Sequence, residues 1–97
     1  MNIRDVLISA LDDLAAAIIT APSVVVGSQA SASSSRAAVN PQKAHALRNG
    51  ATRVASGVAT RAEIDQLIAA SNIPGDISAV RLAIAHAYQA LQASDLP

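Results

Sequence analysis

The sequence contains no cysteine, tryptophan or phenylalanine, and its one aromatic residue is Tyr88. Without cysteine there is no disulfide framework and no thiolate metal site. Without a set of aromatics there are no stacking platforms for single-stranded nucleic acid, and the side chains that bury the most apolar area are missing. Acidic residues are absent from Leu14 to Ala62. No uncharged apolar run reaches the ~18 residues of a membrane-spanning helix, so no membrane association is expected. The apolar opening stretch is not read as a signal peptide, because Asp12 and Asp13 occupy what would be its hydrophobic centre.

What is abundant is alanine. Hydrophobic residues make up 52% of the 97 positions, and 23 of them are alanine. This length suits one small domain. Apolar burial contributes about 25 cal/mol per Å², and short chains bury a modest share of their surface. Composition therefore predicts a monomer of low stability that partner molecules would complete. The seven basic and seven acidic residues are segregated. Arg36, Lys43, Arg48, Arg53 and Arg61 occupy the middle, while Asp5, Asp12, Asp13, Glu63, Asp65, Asp76 and Asp95 lie toward the ends. That pattern fits the middle of one copy packing on the ends of another, or a strip facing phosphate.

Residues 3–20 carry the clearest helical signal. Ile3, Leu7, Ala10, Leu14 and Ala17 recur at spacings of three and four, Leu11 and Ile18 widen the face, and polar residues fall opposite. Asn2 is a candidate cap and Pro22 a stop. Val24, Val25 and Val26 favour an extended strand interrupted by Gly27. The serine–alanine run 28–39 has no amphipathic period. Residues 21–40 are thus expected to form an extended arm lying on another subunit, although alanine would also allow residues 31–39 to join a helix.

Helix is expected to restart at Asn40-Pro41 and to break or bend near Gly50, with Ala44, Leu47, Ala51, Val54 and Val58 on its apolar face. Thr60 and Glu63 form a capping box for the next helix, whose stripe is Ile64, Leu67 and Ile68. A turn at Asn72–Asp76 leads into a last helix from 77 to about 93. Its large face is Ile77, Val80, Ile84, Tyr88 and Leu91; Ala79, Ala83, Ala87 and Ala90 form a neighbouring stripe of small residues. The expected fold is mostly α: an N-terminal amphipathic helix (1–20), an extended arm (21–40) and a C-terminal unit of two or three helices (41–97).

No residue set announces catalysis. His45 and His86 fall on different helices, neither has a carboxylate three or four positions away, and no nucleophile elbow or phosphate loop occurs. Asp12 and Asp13 diverge by about 100° on one helix, so they do not chelate. No enzyme activity, metal or cofactor is expected. The tether, the alanine faces and the charge segregation point instead to a non-enzymatic structural subunit of a larger protein assembly, as a homo-oligomer or in a hetero-assembly. A small accessory protein of a bacteriophage virion (capsid, neck or tail) has this general character, and the expected location is the virion or the cytoplasm. Ile3, Leu7, Leu14 and Ile18 would anchor the first helix on a partner. Ala79, Ala83, Ala87 and Tyr88 would dock the last, and Val24 to Val26 would add a strand to a neighbour. The alternative is a small helical nucleic-acid-binding or regulatory protein, whose candidate phosphate contacts are Arg48, Arg53 and Arg61. Its helix–turn–helix outline at 60–93 presents only one outward cation, Arg81, on the second helix.

Overall fold

Four helices, α1 (Ile3–Thr20), α2 (Ala30–Ser56), α3 (Arg61–Ala70) and α4 (Ser78–Ala93), make up the fold in a computed structural model. It describes residues 3–21, 30–73 and 77–97, and for residues 30–39 the backbone alone. No strand occurs among these residues, so the mostly-α expectation is correct. The strand expected at Val24–Val26 lies outside the described residues, as do the candidate cap Asn2, the stop at Pro22 and residues 74–76 of the expected turn.

Side-chain bridges fix the helix directions. Arg4 at the start of α1 pairs with Asp95 beyond the end of α4. Arg53 near the end of α2 pairs with Glu63 at the start of α3, while Lys43 Nζ donates to the Asn72 carbonyl at the far end of α3. Arg61 at the start of α3 donates to the carbonyls of Leu91 and Ser94. Each helix therefore runs antiparallel to its neighbours. α1 packs on α2 and α4, and α3 packs on the same two helices. The result is an up-down-up-down bundle with α1 and α3 at opposite corners.

The first helix has the bounds its periodicity predicts. Leu7, Ala10, Leu11, Leu14, Ala15 and Ile18 are its buried residues. Ala44, Leu47, Ala51 and Val54 face them from α2, Val80, Ala87, Ala90 and Leu91 from α4, and Ile64 and Ile68 from α3. α1 is thus a corner of the chain's own core rather than a separate tethered unit. The leucines, isoleucines and valines converge from four directions, and the alanines between them let the helix axes come close. This is how the chain builds an interior with no buried phenylalanine or tryptophan.

Three expectations about the second helix need correction. First, helix begins at Ala30, so positions 30–40 of the expected extended arm are helical. Alanine's high helix propensity and the continuity of one long helix prevail over the missing amphipathic period. Second, Pro41 lies inside α2 rather than at its first position. It removes one backbone donor from the helix ladder there. Third, α2 runs through Gly50 without a break. Gly50 is buried where α3 crosses: a methyl group at this position would collide with the Leu67 side chain. The glycine serves close approach of two helices and does not end one.

The actual end of α2 is Gly57, at φ 77°. Its N–H donates to the Val54 carbonyl (3.1 Å) and that of Val58 to the Arg53 carbonyl (3.1 Å). This pair of bonds is a Schellman motif, which requires a left-handed residue and so favours glycine. Ending there turns Val58 outward, leaving it 54% exposed, although the α2 period had placed it on the apolar face. α3 starts with half of the expected capping box. The Glu63 N–H donates to Thr60 Oγ1 at 3.2 Å, while the Glu63 carboxylate is bound by Arg53.

Candidate interaction surface

The outer edge between α1 and α4 carries a furrow of about 530 Å³ lined by Asp13, Ala17, Ala79, Leu82, Ala83, Ala85, His86 and Gln89. That volume lies within the range of small-molecule sites. Most of the lining residues are exposed, however, so it is a surface feature and not an enclosed pocket. Leu82, at 74% exposed, is the most exposed large apolar residue among those described. Ala17, Ala79, Ala83 and Ala85 line the furrow with it. On α1 the same surface continues through Ala16, Ala17 and Thr20.

The residues expected to meet a partner are divided by the fold. Leu7, Leu14 and Ile18 are fully buried within the chain, so in this fold they anchor α1 on α2 and α4. Ile3 is 47% exposed. The alanine stripe on α4 splits in two, because a stripe recurring every three to four residues drifts around the helix. Ala87 and Ala90 turn into the core, Ala79 is exposed and Ala83 half-buried beside Leu82. Tyr88 is half-buried on the side of α4 nearer α3. Ala79 and Ala83 therefore share the furrow, and Ala87 and Tyr88 do not. Leu82 belongs to neither periodic stripe of α4, so no helical signal in the sequence marks it.

The three arginines proposed for phosphate do not form a cluster. Arg48 and Arg53 are five positions apart on α2, so they point about 140° apart. Arg53 holds Glu63 through two bonds, Nε to Oε2 at 2.5 Å and an Nη to Oε1 at 3.0 Å. The hydrogen bond from Glu63, and secondarily its charge, push the guanidinium pKa up from its ordinary value. Arg61 is half-buried and turned inward, donating to Leu91 O at 2.8 Å and Ser94 O at 3.0 Å. It closes the end of α4, where helix carbonyls lack intrahelical partners and the dipole favours a cation. The Ser94 hydroxyl adds a bond to Leu91 O (2.6 Å), and the Arg61 N–H donates to Pro97 O (2.7 Å). Leu96 is buried under this closure. Arg48 and Arg53 are both exposed, and Arg53 is engaged by Glu63.

Both histidines are exposed. Among the described residues, no three of His, Cys, Asp and Glu gather as a metal-ion site. Nor is any described helix long and apolar enough to cross a membrane. Every buried side-chain nitrogen or oxygen among the described residues has a hydrogen-bond partner. The interior therefore presents no unpaired polar group to a ligand. Compared with protein-family models, curated proteins and solved structures, the chain matches none.

Proposed function

We propose that the chain is a non-enzymatic structural subunit of a larger protein assembly and that it engages other subunits through the outer α1–α4 face. The observation that carries this reading is Leu82, an exposed leucine in a furrow lined by alanines and flanked by polar groups. Contiguous apolar patches rimmed by polar residues mark contact sites between proteins, whereas single exposed apolar side chains are ordinary, so the support lies in Leu82 standing together with Ala17, Ala79 and Ala83 in one furrow. A small accessory role in a bacteriophage virion is the form of this reading that best suits the alanine-rich, cysteine-free composition. The arginines give less support to nucleic-acid binding: two of the three are engaged within the chain, and phosphate affinity depends on several free cations acting together.

A photo-crosslinking residue at position 82 tests the proposal in the cell that makes the protein. The expected result is covalent capture of protein, whether this chain or another, with much less capture from the same probe at Arg48. Equal, low capture at both positions would overturn it. In the virion case, the crosslinked species cofractionates with particles.

A further inference from the structure

We infer that α2 is jointed at Pro41: residues 30–40 are a helical extension that forms and melts on its own, while residues 41–56 stay in the bundle. This goes beyond the α1–α4 face and does not depend on it. α2 outruns its neighbours, with 27 residues against 18 in α1, 10 in α3 and 16 in α4. The Arg4 guanidinium beside Gly57 puts the start of α1 level with the end of α2. Arg4 to Thr20 and Gly57 back to Pro41 are equal lengths of chain, so α1 ends at about the level of Pro41.

The other two helices stop there as well. Lys43 Nζ reaches the Asn72 carbonyl just past the end of α3. Ala79, in the first turn of α4, lines the same furrow as Ala17 near the end of α1. Residues 30–40 of α2 therefore run past the ends of all three neighbouring helices, by about 16 Å at a rise of about 1.5 Å per residue.

Pro41 lies at this exit, inside the helix. It has no N–H for the Ala37 carbonyl, its ring crowds that carbonyl, and it biases Asn40 away from helix. A proline in a helix interior lowers the helix-to-coil ratio by roughly a hundredfold. The same two residues supply an alternative: asparagine is a preferred N-cap and proline a preferred first helical residue, so a shorter α2 beginning at Pro41 has a complete start of its own. The short form gives up the helical bonds of residues 30–40, which are rich in alanine. It gains the cap, relief of the proline clash and chain entropy. The opposing terms leave the two forms close in free energy. Segments that order on contact with another molecule come from such low-stability parts of a fold. Here one end of the molecule lengthens or shortens by about 16 Å with the core intact.

Backbone carbon chemical shifts of the whole chain, which give the helical fraction at each position, test this. The expected result is full helix over residues 44–54 and an intermediate fraction over 33–40. Pro41→Ala raises the helix-to-coil ratio over 33–40 roughly tenfold or more. Ser34→Pro removes helix there and leaves the midpoint of urea unfolding unchanged, because the bundle does not lean on the extension. Full helix over 33–40 in the unaltered chain would overturn the inference, and so would its complete absence. A helical fraction that does not respond to Pro41→Ala, or a urea midpoint that falls in Ser34→Pro, would overturn it too, the last by showing that residues 30–40 belong to the cooperative core.

Discussion

Replacing Leu14 with alanine separates two roles that the sequence leaves open for this residue. The side chain is wholly buried, in the middle of the helix that α2 and α4 enclose. Truncation to alanine removes about three carbon groups, and at about 0.8 kcal/mol each the lost transfer energy is about 2.4 kcal/mol. The cavity adds to that loss, because helices packed on both sides limit collapse, and the total is about 3–4 kcal/mol. Domains of this size are held by about 5–15 kcal/mol in all. At roughly 4–8 °C per kcal/mol, the melting temperature falls by roughly 12–30 °C. Urea unfolding of the isolated chain, followed by far-ultraviolet circular dichroism, measures the loss. Asp13→Ala, one position along and exposed, is the control and stays within about 0.5 kcal/mol. Had Leu14 been an anchor for another subunit, its truncation would leave the isolated chain as stable as before. A measured loss under about 1 kcal/mol refutes the placement of α1 in the chain's own core.

Other substitutions probe the remaining joints. Pro41→Ala restores a donor inside α2 and stabilises the chain by about 1–3 kcal/mol, with slower amide exchange over 30–40; if the helix started at Asn40 instead, the substitution would bring no gain. Thr60→Ala removes the α3 cap and costs about 1 kcal/mol in urea unfolding, while Thr60→Ser costs little. Arg61→Ala strips two carbonyls at the end of α4 of their charged donor, costing about 1–3 kcal/mol and speeding amide exchange after Leu91. Arg61→Lys recovers only part of this, because an ammonium lacks the planar fork that spans both carbonyls. Gly50→Val forces a branched side chain against Leu67 and lowers the urea midpoint, whereas Gly50→Ala has a much smaller effect, since gained helix propensity offsets displacement of one flexible side-chain end.

Local signals in the sequence translate directly into structure. The spacing of Leu7, Leu14 and Ile18 marks α1 from end to end, Thr60 caps α3, and the face through Val80 and Leu91 locates α4. What the sequence does not disclose is which apolar faces meet. A period of three and four shows that α1 must pack on something, but it is equally consistent with a core in this chain or in a neighbour. The serine–alanine run is hard to read for a related reason: its helix comes from backbone propensity and continuity with residues 41–56, and neither leaves a periodic mark. Gly50 carries the two meanings glycine always has, termination and close approach, and only the position of Leu67 decides between them. The role of Arg61 depends on carbonyls thirty and more positions away, which no local pattern records. Leu82 is visible only once the bundle has turned one side of α4 outward.

The account depends most on a single chain folding around α1 without help. Urea unfolding at protein concentrations from about 1 to about 50 µM tests this directly, because the stability of an obligate oligomer varies with concentration. The account predicts a helical monomer at every concentration and one cooperative transition whose midpoint stays constant. A midpoint that climbs with concentration, or helix content that disappears on dilution, would contradict it.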